Sequence, residues 1–154
     1  MTSPALLPIE LSSLEVCSAL SPANLASLRE AASVVLDRLH PGDAPVVKAR
    51  IERRGAPPRD GTLCWPRSDA QQRDTHANDH NAVEDGATAV AIATVPLTHG
   101  CRVIRRAFHG SGADDLMRAD GATGDDVVRL EVSGILGVAH PGARLREKVE
   151  ELQA

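Results

Sequence analysis

A chain of 154 residues in which 42% are hydrophobic and 25% charged has the size and composition of one globular domain. Its net charge of −4 excludes a protein that coats nucleic acid through a broad basic surface, so any contact with nucleic acid must be local. Aromatic residues make up only 1% of the chain, so small aliphatic side chains must fill the core, and we expect a protein partner or a homo-oligomer to add stability.

The cysteines indicate a reducing compartment. Cys17, Cys64 and Cys101 are far apart and form no Cys-x-x-Cys pair, so neither a disulfide framework nor a thiolate zinc site is predicted. The chain starts without a basic, apolar leader, and no stretch approaches the roughly 20 apolar residues of a membrane span. We therefore expect a cytoplasmic protein with no membrane contact.

The first third of the chain predicts a strand followed by a helix. Apolar residues from Leu6 to Leu20 partly alternate with polar ones, which favours an opening strand. Ser21 then has the features of an N-cap and Pro22 those of a first helical residue. Apolar residues recur at helical spacing as far as Leu39, and the His-Pro-Gly-Asp sequence after it ends the predicted helix.

A β-hairpin is predicted next. Apolar residues alternate with charged ones from Val47 to Ile51, which is typical of a strand with one buried face. The return strand is predicted from Thr62 to Pro66, and the proline- and charge-rich stretch from Arg53 to Gly61 is predicted to be an exposed loop. We expect Trp65 to close the hairpin onto the core rather than to stack on a ligand.

His76 and His80 are four residues apart and would share a face if both lay on one helix. Such a pair could bind zinc or nickel, with Glu84 one turn further along. The spacing lacks the glutamate of the zinc-protease helix motif, so a solvated lead-in to a helix is the favoured interpretation.

The segment from Ala82 to Val95 is predicted to be a largely buried helix that packs on a sheet. Asp79 or Asn81 would cap it, and acidic residues in its first turn suit the positive end of the helix dipole. Pro96 lacks a backbone donor, so the helix is predicted to kink or stop there.

A strand is predicted from Cys101 to His109, followed by a sharp turn at residues 110–112 where backbone could approach a phosphate. A final strand is predicted around residue 130, and a closing helix from Ala143 to Gln153. In the final strand, one face would pack on the core helix and would carry Val128, Leu130 and Val132. The other face would point to solvent or to a site and would carry Arg129, Glu131 and Ser133.

These elements predict an α+β fold with an α/β-like core, a small mixed sheet flanked by helices. We expect a single domain over residues 1–154, with an N-terminal helix and hairpin in residues 1–66 and a core that carries the candidate site in residues 80–154.

Three segments carry a resemblance. They are Glu-Asp-Gly-Ala at residues 84–87, Gly-Ser-Gly-Ala-Asp at 110–114 and Arg-Leu-Glu-Val-Ser-Gly-Ile at 129–135. The last half of the chain resembles a family of small bacterial proteins with Glu-Asp-Gly-Ala, Gly-Thr-Gly-x-Asp and Arg-Leu-Glu-Val-Ser-Gly segments. The order of a helix acid, a turn Asp and a strand Glu is also similar to the PD-(D/E)XK restriction-endonuclease-like fold.

The second resemblance implies a magnesium site. Carried over, Glu84, Asp114 and Glu131 would hold Mg²⁺, which binds the scissile phosphate and activates water, with Asp115 as a reserve ligand. Their carboxylates would then lie within roughly 8 Å of one another.

The sequence departs from that pattern at the position of the nuclease lysine, which is occupied by Ser133. Arg129 or Arg105 would have to supply the positive charge instead. Two functions follow from these observations. One is a metal-dependent phosphodiesterase that acts on DNA or RNA, and the other is a non-catalytic binding or assembly subunit, for example of a bacterial defence or toxin–antitoxin-like module.

Overall fold

The computed structural model of this chain describes residues 3–42, 44–108, 110, 113–137, 146 and 149–150. The described residues form an α+β architecture with two three-stranded sheets and several helices. In chain order the elements are β1 (Leu7–Glu10), a 3-10 helix (Leu11–Val16), α1 (Pro22–Leu39), β2 (Val46–Arg53), β3 (Ala56–Cys64), α2 (Ala70–Thr75), α3 (Asp79–His99), β4 (Cys101–Arg106), β5 (Asp115–Ala119) and β6 (Val128–Leu130).

The opening strand is shorter than predicted. β1 ends at Glu10, and the chain turns at once into the 3-10 helix. Leu11 and Leu14 are three residues apart, which is one 3-10 turn, and both are fully buried. Burial of these two leucines therefore selects the helical turn over a continued strand.

The predicted helix from Pro22 to Leu39 is confirmed at both ends. The Ser21 hydroxyl accepts a hydrogen bond from the Asn24 amide, so the expected cap is in place. Trp65 is buried, as predicted, and its Nε1 donates to Asp37 of this helix.

The predicted hairpin exists, and residues 53–60 are exposed as predicted, but the prediction that Arg53 to Gly61 form a loop is wrong. β3 begins at Ala56, so only two residues separate the strands, and Gly55 adopts a positive φ of 78°. β1 pairs only with the end of β3, from Gly61 to Cys64. The prolines of Ala56–Asp60 therefore lie where β3 has a neighbour on one side only, and a missing backbone donor is tolerated there.

The predicted helix over residues 82–95 is longer at both ends. α3 starts at Asp79 with Asn78 as its cap, not Asp79 or Asn81, and it continues through Pro96 to His99. Pro96 lies near the C-terminal end, where it removes one hydrogen bond, and buried Val95 still anchors that turn to the core.

The helices α1 and α3 pack closely. A Cβ atom placed on Gly86 would lie 3.0 Å from the Cα of Ala32, so glycine allows the two backbones to approach at this crossing. The core cluster runs without a break from Ile9 in the first sheet to Met117 in the second. Within the described residues, no helix is both long and apolar enough to span a membrane.

The second sheet has the antiparallel order β4–β5–β6. β4 is the predicted strand but ends at Arg106, three residues early, and β5 was not predicted. Ser18 joins the first part of the chain to this sheet, because its hydroxyl donates to the carbonyl of Val103 at 3.0 Å. The predicted closing helix over 143–153 lies outside the described residues except at positions 146, 149 and 150.

The predicted two-faced strand around residue 130 is corrected. β6 comprises only Val128–Leu130, and residues 131–136 leave the sheet. Val128 is half-exposed rather than buried against α3. Val132 and Ser133 lie beyond the end of the strand, so the alternation of faces does not extend to them.

Candidate functional site

Two of the predicted site residues, Asp114 and Glu131, lie close together where β5 begins. The Asp114 amide donates to the Leu130 carbonyl at 2.9 Å, and the Asp114 carboxylate accepts from the Val132 amide at 2.7 Å. Together these bonds hold the end of β6 and the start of the segment after it. Asp114 therefore positions Glu131, which lies between the two bonded residues.

Asp115 is fully buried at the edge of this cluster. Burial raises its pKa to about 6; the Arg106 guanidinium opposes that increase, while the charges of Asp114 and Glu131 add to it. Arg106 Nε lies 3.1 Å from Asp115 Oδ1, close enough for an ion pair. The pair is not aligned for a hydrogen bond, and neither oxygen of Asp115 accepts one from the described residues.

Glu84 is half-buried in the N-terminal half of α3. The residue before it, Val83, contacts the segment that follows Glu131: a Cβ atom on Gly134 would lie 2.5 Å from the Val83 carbonyl oxygen. Only glycine allows this approach. The structure thus brings Asp114, Asp115 and Glu131 together and places Glu84 on the helix against which the same segment packs.

These carboxylates do not form a ready metal site. Among the described residues, no group of three or more His, Cys, Asp or Glu side chains is arranged to hold a metal ion. Asp115 is enclosed beside Arg106, and Asp114 already accepts from a backbone amide. Binding of Mg²⁺ by Glu84, Asp114 and Glu131 stays a prediction.

The two histidines do not share a helix face. His76 follows the last residue of α2, whereas His80 lies in the first turn of α3. His76 Nε2 is instead 3.5 Å from a carboxylate oxygen of Glu30 on α1.

The two arginines that would replace the nuclease lysine, and the serine at the position of that lysine, lie in different surroundings. Arg129 is exposed on β6, opposite Leu116 of β5. The Arg105 guanidinium lies 5.4 Å from the centre of the Phe108 ring. Ser133 lines an apolar trough beside α1 and α3.

A concave feature lies near these residues, and sequence reasoning missed it. It lies between α1, α3, the end of β2 and residues 130–136, and its volume is about 720 Å³. We call it the α1–α3 trough. Its walls are mostly aliphatic and include Leu36, Leu39, Val90, Ala91, Thr94 and Leu136.

Charged and titratable side chains lie at one end of the trough. At the C-terminal end of α3, Arg53 Nη1 donates to the Thr98 carbonyl at 2.6 Å. Burial lowers the pKa of the adjacent His99, and the charge of Arg53 lowers it further, so that imidazole is neutral at pH 7. Val83, in the N-terminal half of α3, lies at the other end, and Glu131 also lines the trough.

No known protein family, curated protein or solved structure matches this chain. Its site is therefore interpreted from its own geometry. The signals that could have revealed the trough were faint in the sequence: they are the small residues on one side of α3 and the glycine at position 134.

Proposed function

We propose that this protein is a non-catalytic binding or assembly domain, and that its α1–α3 trough takes the apolar face of a helix from a protein partner. The observation that carries this proposal is the trough itself, an apolar concavity of about 720 Å³ on the outside of the domain. A concavity of this volume with mostly apolar walls is typical of binding sites in proteins.

The shape of the trough suits a helix. Its lining on α3 extends from Val83 to His99, a distance of about 24 Å at the rise of an α-helix. An amphipathic helix of about four turns matches that length, with apolar anchors at i, i+3, i+4 and i+7. Leu39 and Leu136 on the rim remain about half-exposed and would be covered by such a partner.

A library of displayed helical peptides tests the proposal. Peptides selected on the purified protein should carry an apolar helical stripe and bind in the micromolar range. Ala91→Arg places a charge in the trough wall and should abolish their binding. The matched control is Gln71→Arg, which adds the same charge at an exposed position on α2. Peptides that bind both variants equally, or a selection that yields none, would contradict the proposal.

A second candidate function is a metal-dependent phosphodiesterase that acts on DNA or RNA. The specific observation in its favour is the proximity of Asp114, Asp115 and Glu131, whose charges act on one another. If these residues bind Mg²⁺, Glu131→Gln should abolish the thermal stabilisation that the ion produces, while Glu52→Gln at an exposed position should retain it.

Nuclease activity has its own test. Ser133→Lys restores the lysine of the restriction-endonuclease-like pattern, so a gain of Mg²⁺-dependent cleavage would favour an inactivated nuclease. Wild-type cleavage that Arg129→Ala stops would show that Arg129 supplies the charge. The absence of metal-induced stabilisation and of cleavage in all variants would refute this candidate.

A further inference from the structure

The end of the α1–α3 trough beside the β2–β3 hairpin carries two arginines. Arg53 lines the trough, and both Arg53 and Arg59 border an adjoining hollow of about 110 Å³. Ile51 lines the trough as well as this hollow, and Arg59 is its partner across the hairpin. Directly opposed residues of an antiparallel pair point to the same face. Both arginines therefore lie on the side of the hairpin that meets the trough.

The acidic residues of the hairpin strands do not cancel this charge. Glu52 also borders the trough, but its Oε1 accepts a hydrogen bond from Arg50 Nε at 2.8 Å. Asp60 lies opposite Arg50 across the hairpin and next to Arg59 in β3, so it points to the other face of the hairpin than Arg59. Both acids thus share a face with Arg50.

The last turn of α3 positions one of the two arginines. Arg53 Nη1 donates to the Thr98 carbonyl at 2.6 Å, and this bond uses one of the five N–H donors of a guanidinium group. The negative end of a helix dipole amounts to about half a unit charge, which two arginines outweigh. Because burial lowers its pKa, the adjacent His99 imidazole is neutral at pH 7 and adds no charge. This end of the trough is therefore basic.

From this layout we infer that the partner in the trough is an acidic amphipathic helix. Its aliphatic stripe lies along α3, and Asp or Glu side chains at one end of the stripe bond to Arg53 and Arg59. The inference rests on the proposed assembly function and names the chemistry of the partner. Arginine suits this role because its planar guanidinium group binds a carboxylate through two parallel hydrogen bonds. Opposite charges across an interface also speed association and fix the orientation of the partner.

A helix fits the trough better than a fatty acid, which also combines an apolar body with a carboxylate. Leu39 and Leu136 on the rim are 52% and 47% exposed, so the trough is open to solvent at its rim. An acyl chain laid there would keep one side in water, which is unfavourable. An amphipathic helix instead turns its polar face outward and buries only its apolar stripe.

Peptide selection with a charge-varied library tests the inference. Displayed helices of about four turns share one aliphatic stripe, and the positions that flank each end of the stripe are varied among Glu, Gln and Lys. Peptides selected on the wild-type protein should carry Glu at one end. Replacement of those glutamates by Gln should weaken binding about tenfold, and replacement by Lys should weaken it further. Added salt should reduce the difference, because it screens exposed charge pairs.

Variants of the full chain assign this preference to the trough. Arg59→Glu should weaken the Glu peptide about tenfold and should bind the Lys version more tightly than the wild type does. Arg59 is chosen because Arg53 also bonds to the end of α3. The matched control is Lys48→Glu, which makes the same change of charge at an exposed position on the face of β2 that carries Arg50. It should leave both affinities unchanged, and circular dichroism checks that each variant is folded.

The outcomes separate this inference from the function on which it rests. Peptides that are lost in Ala91→Arg, but whose Glu and Lys versions bind the wild type equally, would overturn the acidic partner and leave the proposed function standing. An effect of Lys48→Glu as large as that of Arg59→Glu would also overturn it, because the preference would then follow net charge. If no peptide is selected, both proposals are refuted. Palmitate that then binds the wild type but not Ala91→Arg or Arg59→Glu would assign the trough to an acyl carboxylate instead.

Discussion

Asp37 ties the C-terminal half of α1 to the chain that follows the first sheet, and its removal should cost much of the stability of the domain. Its carboxylate accepts hydrogen bonds from Trp65 Nε1 at 2.9 Å and from Arg67 Nη1 at 2.8 Å. The amide and hydroxyl of Ser68 donate to the other oxygen at 2.8 and 2.7 Å. One small side chain thus holds the buried indole and the start of the segment that leads to α2.

The magnitude follows from the pKa of this carboxyl. Burial alone would raise it, but the hydrogen bonds from Trp65, Ser68 and Arg67 outweigh burial and lower the pKa of Asp37 from 3.8 to about 2. A lowering of nearly two pH units corresponds to about 2 kcal/mol of folding free energy. Because the folded-state pKa is depressed, this stabilisation is fully present above about pH 4. It is lost as the pH falls from 4 towards 2.

We therefore expect Asp37→Asn to lower the free energy of unfolding by about 2 kcal/mol at pH 7. Urea denaturation followed by tryptophan fluorescence measures this directly, because Trp65 is the single tryptophan. The control is Glu52→Gln, which breaks an exposed ion pair with Arg50 and should change stability by under about 0.5 kcal/mol. Equal free energies of unfolding for wild type and Asp37→Asn at pH 7 would refute this reasoning. A difference in that free energy that stays constant down to pH 3 would also refute it.

Three further predictions concern the second sheet and the segment after it. Because burial raises the pKa of Asp115 to about 6, its contribution favours the fold below about pH 4 and is lost as the pH rises through 6; Asp115→Asn should flatten this dependence in urea denaturation between pH 4 and 7. Gly134→Ala should cost about 1–3 kcal/mol, since its methyl group would meet the Val83 carbonyl, and should speed hydrogen exchange of the Val132 amide; unchanged exchange would contradict the contact. Leu130→Asp should lower the temperature of the thermal transition because Leu130 is partly buried against the core cluster, where a charge is unfavourable, and an unchanged transition would contradict that packing.

Local chemistry determined the elements that the sequence predicted well. The helix from Pro22 to Leu39 needs only its cap, its proline and its apolar repeat, all of which lie within the helix or beside it. Trp65 was predicted to be buried, and it is, because a large aromatic side chain gains much free energy from burial in a chain with few aromatic residues. The general class, α+β, also followed from such local patterns.

Tertiary contacts decided the structure where the local preference of a residue disagrees with the element in which it lies. Pro96 predicts the end of a helix, yet α3 continues because the buried turn holds it in place. The prolines of β3 predict a loop, yet they lie where the strand has a neighbour on one side only. β5 carries an aspartate at its start, and only the enclosure of Asp115 beside Arg106 makes that residue compatible with a buried strand.

For the candidate site, too, local sequence predicted one part and tertiary contacts decided the other. The sequence by itself determined that acidic residues recur on neighbouring elements, and the structure brings Asp114 and Glu131 to one place. The trough was decided only by the tertiary structure. It arises because Gly86 lets α1 and α3 touch and Gly134 lets the chain after β6 lie against α3. Such close approaches depend on residues far apart in the chain, so no local pattern of hydrophobicity or charge encodes the space that they enclose.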